Sequence, residues 1–270
     1  MNIYHKIIKE LFPHLKLKDP NISLGKKIYV YLSILAQLWV IATLLLYFTL
    51  PYLAKNRYTN HHLTFYTFSD ANSTQAKLYF DRVSTLISKH PLYAKQEKIS
   101  IYLLNNHSIY MLLNPIELLP NRQTFAFTLK NNIYINNGDT TTNKAFASSG
   151  AKENLDAIIL HESVHAMQNS RYGWFYTSFK MPYWVKEGYA IYSAWNLSRY
   201  NEEKLIKDLN KTKDADITHW SIFAKDQFYA LMVKQAITKM DKSVDDLHLG
   251  KVNYSEVLNS LLVEYNITQK

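Results

Sequence analysis

The stretch "LDAIILHESVHAMQNS", residues 155–170, places two histidines and a glutamate inside an otherwise apolar run. His161 and His165 are four positions apart, and that spacing puts two side chains on the same face of a helix. Neither proline nor glycine interrupts residues 153–170, so the sequence predicts a helix here. Two imidazoles on one helix face can converge on one metal ion, with Glu162 beside it as a general base. The stretch therefore predicts a metal site, although histidines in helices are more often surface or core residues than ligands.

A third ligand distinguishes these readings, because a catalytic zinc ion needs three protein ligands and one open position. The downstream stretch "MPYWVKEGYAIYSAW", residues 181–195, predicts a helix with Pro182 in its first turn and Glu187 in its second. Gly188 costs a helix interior about 1 kcal/mol relative to alanine. We expect this glycine to permit close approach to another helix, which would bring Glu187 to the two histidines. The alternative is a solvent-facing glutamate beside Lys186.

Together the two stretches resemble the gluzincin zinc metallopeptidases, the thermolysin-like and aminopeptidase-N-like superfamily. Members of that group carry H-E-x-x-H on one helix and a glutamate ligand on the next, often within W-x-x-E-G-x-A, which here spans residues 184–190. The resemblance implies that His161, His165 and Glu187 bind one zinc ion and that Glu162 is the general base on zinc-bound water. It covers residues 124–190 and is weak elsewhere.

The sequence differs from the gluzincin pattern at three points, and these differences limit which activity the resemblance implies. The gap of 21 residues between His165 and Glu187 is slightly longer than in the aminopeptidases. The G-x-M-E-N motif that captures a free amine is absent from the sequence, so we do not expect an aminopeptidase. Thermolysin-like enzymes have an aspartate four residues after the glutamate ligand to orient a histidine, and here that position is Ile191. Another group must therefore orient the histidine ligand.

The gluzincins also use a tyrosine or a histidine from their C-terminal helices to stabilise the tetrahedral oxyanion. Tyr229 in "DQFYALMVKQAI" resembles that tyrosine and is the predicted catalytic partner of Glu162, and His219 in "THW" is the alternative. The chain contains 21 tyrosines, so a purely structural role for Tyr229 also stays open.

The stretch "TFAFTLKNNIYINNGD" predicts two strands, residues 124–129 and 133–136. Gluzincins place an edge strand before the active-site helix, where the backbone of a peptide substrate can add to the sheet. An ordinary hairpin is the alternative, and the sequence does not indicate which strand lies at the edge. Residues 140–153, "TTTNKAFASSGAKE", are predicted to form a mobile loop.

Residues 28–54 carry no charge, and about 20 apolar residues suffice to span a bilayer. A buried core helix and a cleaved signal peptide are alternatives, but the apolar core of a signal peptide has about 7–15 residues. Six lysines precede the stretch, whereas Lys55 and Arg57 alone follow it before Lys77. By the positive-inside rule, this asymmetry predicts a single-pass protein of the cell membrane with a cytoplasmic N-terminus and an extracytoplasmic catalytic domain.

The composition excludes some alternatives. The chain of 270 residues has a formal net charge of +9 and no cysteine, which excludes disulfides and thiolate metal ligands. We find no nucleic-acid-binding module in the sequence, and the oligomeric state is not predicted.

The sequence thus predicts an α+β protein with an N-terminal single-pass transmembrane helix and a thermolysin-like two-lobe ectodomain. The predicted parts are a cytoplasmic basic segment (1–27), an anchor in the lipid bilayer (28–54), an α/β lobe with the edge strand (55–150) and a helical catalytic lobe (151–270), with zinc between the lobes. The predicted function is that of a membrane-anchored zinc-dependent metallopeptidase that hydrolyses a peptide or protein substrate outside the cytoplasm. The alternative is a catalytically silent gluzincin-like binding or scaffold module of the cell envelope.

Overall fold

The computed structural model describes residues 23–60, 62–69, 73–94, 98–114, 124–147, 150–198, 200–211, 217 and 220–267. Most of the predicted cytoplasmic segment, residues 1–22, lies outside the described residues. The chain divides into two compact units, Met1–Leu50 and Pro51–Lys270. Each unit is described by itself.

The N-terminal apolar stretch forms one long helix, α1, at Leu24–Leu53. Its section Ile28–Leu53 is long and apolar enough to cross a membrane by length and composition. Large apolar side chains such as Leu45 and Phe48 are exposed along it. The predicted helix is therefore present, and its membrane crossing and orientation stay predictions.

A five-stranded mixed sheet forms much of the second unit. Its order is β1-β2-β3-β5-β4, with β2, β3 and β5 parallel and the two outer strands antiparallel to their neighbours. The strands are β1 Asn56–Asn60, β2 Leu63–Thr67, β3 Ile99–Leu104, β4 Ala126–Leu129 and β5 Asn132–Asn136. The predicted strands in residues 124–129 and 133–136 are thereby confirmed, and β4 is the member of this pair that lies at the edge of the described sheet.

Alternation of side chains explains how this sheet is built. Tyr66, Tyr102 and Tyr134 lie opposite one another in register on β2, β3 and β5. Their rings stack with centroids 4.7 and 5.0 Å apart. Successive strand residues point to opposite faces, so the intervening positions form the other face, which joins the hydrophobic core: Leu63, Phe65, Ile99, Ile101, Ile133 and Ile135.

A small antiparallel sheet follows, made of β6 Gly138–Asp139, β7 Lys144–Phe146 and β8 Lys152–Asn154. The prediction of a loop at residues 140–153 is wrong in part, because β7 lies within this segment and β8 begins in it. Strand β8 ends at Asn154, and the histidine-bearing helix begins at the next residue.

The other regular elements in the described part of the second unit are helical. They are α2 Ser73–Ser88, α3 His107–Leu113, α4 Leu155–Tyr172, α5 Trp174–Phe179, α6 Tyr183–Ala194, α7 Glu202–Asn210, α8 Ile222–Thr238, α9 Val244–His248 and α10 Tyr254–Glu264. A short 3₁₀ turn, Trp195–Leu197, follows α6. The protein is therefore a mixed α+β protein with an N-terminal apolar helix, as predicted, while the thermolysin-like two-lobe arrangement stays a prediction.

Helix α4 joins the sheet to the helices of this unit, because it contacts β4 and β5 as well as α5 and α6. Twelve of its eighteen residues are buried, and they include polar side chains such as Glu162 and Gln168. Gly173, with a φ of 86°, ends α4 and lets the chain turn into α5.

Gly188 allows the close contact with another helix that the sequence predicts. A Cβ atom added at Gly188 would lie 2.6 Å from the backbone carbonyl carbon and oxygen of Tyr229 on α8. The predicted close approach of Gly188 to another helix is therefore confirmed, and that helix is α8, not the helix that carries the histidines. Helix α6 contacts α4 as well, and this packing brings Glu187 to the histidines.

Candidate metal centre

Three side chains from two helices meet at one point. His161 and His165 project from the same face of α4, and Glu187 projects toward them from the second turn of α6. The ligand atoms of these three residues lie within 4.8 Å of one another, so the group could hold a metal ion. The structure thus brings together the three residues that the sequence predicts as ligands.

The distances between the ligand atoms suit a small tetrahedral ion. The two histidine Nε2 atoms are 3.1 Å apart. Glu187 Oε2 lies 3.2 Å from His165 Nε2 and 3.7 Å from His161 Nε2. Zinc–nitrogen and zinc–oxygen bonds of about 2.0–2.1 Å in tetrahedral geometry place neighbouring ligand atoms roughly 3.3–3.4 Å apart. The three observed distances bracket that value.

The charges of the site favour a cation. Burial and the neighbouring His165 lower the pKa of His161 to about 3. Burial acts in the same direction on His165, but the Glu187 carboxylate outweighs it and raises the pKa of His165 to about 9. Burial would raise the pKa of Glu187, yet His165 and His161 lower it well below its usual value. Glu187 is therefore ionised and stabilises positive charge at this point, whether from a proton or from a metal ion.

The two oxygens of Glu187 have different partners. Oε2 faces the histidines, while Oε1 lies 3.3 Å from Nζ of Lys186. This pairing leaves one carboxylate oxygen, rather than both, to serve as a ligand.

Glu162 lies beside the three ligands and does not join them. The hydroxyl of Thr128, on the edge strand β4, donates a hydrogen bond of 2.6 Å to Glu162 Oε2. Burial raises the pKa of Glu162, and the charge on His165 and the Thr128 hydrogen bond oppose this effect. A carboxyl group held in this way binds a proton more readily than an exposed glutamate.

A cavity of about 450 Å³ opens beside the ligands, and His161, Glu162 and Glu187 all line it. Ala126, in the first position of β4, lines the same cavity, as does Ile191. Ile191 is the residue that replaces the aspartate of the thermolysin-like pattern. It gives this position an apolar wall, so a different residue must orient a histidine.

Of the two candidates for the oxyanion donor, the structure describes Tyr229. Tyr229 is not among the described residues that line the cavity, and its ring centroid lies 6.1 Å from that of Tyr183. Asp226, one turn earlier on α8, lines the cavity instead. His219 lies outside the described residues.

Sequence reasoning missed three residues near the site. Gln168 accepts a hydrogen bond of 3.0 Å from His165 Nδ1, and its spacing of three residues from His165 was a usable signal. Thr128 contacts Glu162 from a strand, where no local pattern indicates the contact. Burial and the nearby Glu187 raise the pKa of Asp226 to about 6, and its Oδ1 is buried without a hydrogen-bond partner in the described part of the chain.

Comparison with protein-family models, with curated proteins and with solved structures finds no match to this chain. The geometry alone therefore defines the class of site: two histidines and one glutamate that could hold a metal ion beside a cavity. Membership of the gluzincins and the identity of the metal stay predictions.

Proposed function

We propose that this protein is a membrane-anchored zinc-dependent metallopeptidase that hydrolyses peptide bonds outside the cytoplasm. The observation that carries the proposal is the placement of His161, His165 and Glu187 at zinc-ligand spacing with Glu162 beside them in one cavity. Two histidines and one glutamate are a ligand set of catalytic zinc sites, which keep an open position. Glu162 occupies the place where such chemistry needs a base.

Each residue of the site has its own part in the proposed reaction. When held by His161, His165 and Glu187, zinc would lower the pKa of a water molecule to about 7 and would polarise a carbonyl group. Glu162 then accepts the proton of the attacking water and delivers it to the leaving amine. Thr128 holds the carboxyl of Glu162 in place through its hydroxyl group. Burial, which raises the pKa of Glu162, suits a residue that must take up a proton and release it again.

The edge strand β4 offers a way to bind a peptide backbone. The cavity is lined by Ala126, the first residue of this strand, and by Thr124 and Phe125, which precede it. In the described sheet β4 pairs with β5 on one side alone, so its other edge can accept an extended chain by β-augmentation. A substrate bound in this way would lie against Thr128 and thus close to Glu162. This arrangement supports a peptide or protein substrate.

The site of action follows from helix α1 and its flanks. The section Ile28–Leu53 is long and apolar enough to cross a bilayer. The excess of lysine before it favours a cytoplasmic N-terminus. The unit that carries the metal centre would then lie on the opposite side of the membrane.

The ligand assignment is tested by metal content. Full-length wild-type protein, incubated with zinc and dialysed, should hold one zinc ion per chain by mass spectrometry. Glu187→Gln should hold less, because an amide oxygen is a weaker zinc ligand than a carboxylate. Glu153→Gln is the matched control, since Glu153 lines the same cavity outside the ligand group. A wild-type protein free of zinc would refute the metal centre, and unchanged zinc in Glu187→Gln would refute the third ligand.

A further inference from the structure

Gln168 makes a set of hydrogen bonds that links both metal-binding helices. Its side chain is completely buried on α4, one turn after His165. The amide Oε1 lies 3.0 Å from His165 Nδ1. The amide Nε2 lies 3.2 Å from the backbone oxygen of Lys186 and 3.0 Å from Nε2 of His248. One side chain therefore contacts a ligand histidine, the residue before the ligand glutamate, and a third buried group.

The direction of each hydrogen bond follows from the Lys186 carbonyl. A carbonyl oxygen can only accept, so the NH₂ group of Gln168 must face Lys186. The amide oxygen then faces His165, where it too can only accept. His165 must therefore carry a proton on Nδ1, which leaves Nε2 to face Glu187 and His161. This is the tautomer that a metal-binding histidine needs.

His248 fixes the same orientation from the other side. Its Nδ1 lies 2.7 Å from the backbone oxygen of Val244, so Nδ1 donates and Nε2 accepts from Gln168. Burial lowers the pKa of His248 to about 4, so its ring is neutral near pH 7 and Nε2 is free to accept. The ring is held between Tyr172 and Tyr189, with centroids 4.9 and 4.7 Å away.

We propose that Gln168 is the positioning residue of the metal centre. It holds His165 in the metal-binding tautomer and ties it to the backbone of α6 one residue before Glu187, while His248 sets the orientation of its amide. An amide is the group that meets these demands, because it accepts from one partner and donates to two others. An ionised carboxylate at this position would face the Lys186 carbonyl without a proton to donate. The inference rests on the metal binding in the proposed function and does not require peptidase activity.

The test measures metal binding by the full-length protein. We compare Gln168→Met with Gln235→Met, since Gln235 is also a buried glutamine and its amide donates to Ser260, which is not part of this network. Zinc affinity is measured by competition with a chromophoric chelator, and the visible spectrum of bound Co²⁺ reports the ligand geometry. Gln168→Met should lose about 10–100-fold in zinc affinity and change the Co²⁺ spectrum. Gln235→Met should keep both.

His248→Phe gives a second measurement that leaves Gln168 in place. The phenyl ring can still stack on Tyr172, but it offers no acceptor to the amide. We expect a loss of roughly 2–10-fold in zinc affinity, the equivalent of one neutral hydrogen bond. The double variant Gln168→Met/His248→Phe should bind zinc as Gln168→Met does, because His248 acts through Gln168.

The zinc affinities and Co²⁺ spectra of these variants decide whether Gln168 positions the metal centre. Wild-type zinc affinity and Co²⁺ spectrum in Gln168→Met would overturn the inference, as would an equal loss in Gln235→Met. Additive losses in the double variant would overturn the role of His248. If Gln168→Met does not fold, unchanged zinc affinity and spectrum in His248→Phe overturn the proposal, and a loss with an altered spectrum supports it. A wild-type protein that binds no zinc would instead refute the metal centre itself.

Discussion

Three carboxyl groups around one cavity have pKa values shifted in different directions, and the differences match different tasks. His165 and His161 lower the pKa of Glu187 against the effect of burial, which suits an ionised ligand. Burial raises the pKa of Glu162, which suits a proton acceptor. Burial and the charge of Glu187 raise the pKa of Asp226 to about 6. Environments that push neighbouring pKa values apart in this way are typical of sites with separate acid and base roles.

The hydrogen bond from Thr128 gives a prediction about pH. The Thr128 hydroxyl lowers the pKa of Glu162, in opposition to burial. Its removal in Thr128→Val should raise that pKa, so the acidic limb of kcat/KM against pH should move to higher pH. Thr128→Ser keeps the hydroxyl and should keep the limb in place. This role of the hydrogen bond would be contradicted if the acidic limb of kcat/KM lay at the same pH in wild type and Thr128→Val. It would also be contradicted if Thr128→Ser moved the limb as far as Thr128→Val does.

At the residue scale, the sequence predicted the site residues that a local spacing or a motif marks. His161 and His165 follow from the helical repeat, and Glu187 follows from the resemblance of the second motif. Thr128 lies 34 residues from Glu162, and His248 lies 80 residues from Gln168. Contacts over such separations depend on the tertiary fold, and no pattern in the sequence marks them.

At the scale of secondary structure, the close packing of α6 on α8 makes Gly188 a sensitive position. Gly188→Ala would gain about 1 kcal/mol of helix propensity. The added methyl group would, however, lie 2.6 Å from the Tyr229 backbone, which cannot move without shifting a helix. Overpacking of this kind costs about 1–3 kcal/mol.

We therefore expect Gly188→Ala to lower the free energy of unfolding by up to about 2 kcal/mol, which is the cost of overpacking less the gain in propensity. Urea denaturation monitored by circular dichroism measures this change. Zinc affinity should also fall, because Glu187 is the adjacent residue on the displaced helix. A variant more stable than wild type would show that the two helices have room to separate.

Long elements were predictable and short ones were not. Helices α4, α6 and α8 carry apolar side chains over several turns, and the central strands β2, β3 and β5 are rich in aliphatic and aromatic residues. Strands of two or three residues, such as β6 and β7, are too short to show any periodicity. Helices α5 and α9 have six and five residues and escaped prediction for the same reason.

At the scale of the whole molecule, the orientation of α1 decides where the metal centre works. A reporter fused after Lys270 should be active if it is a type that functions only outside the cytoplasm. The same reporter fused before Met1 is the matched control and should be silent, because the lysine-rich flank is expected in the cytoplasm. The reverse result would place the metal centre in the cytoplasm and overturn the proposed site of action.

The most direct test of the proposed function is a peptide-library digest with the zinc-loaded full-length protein. Wild type and the control Glu153→Gln should cleave the same peptides. Glu162→Gln should hold zinc equally well, because its side chain is outside the ligand group, while its kcat should fall by about 10²-fold or more. Zinc-loaded Glu162→Gln that cleaves at the wild-type rate would contradict the assignment of the base. Zinc-loaded wild type that cleaves no peptide would contradict the peptidase itself and favour a binding or scaffold module.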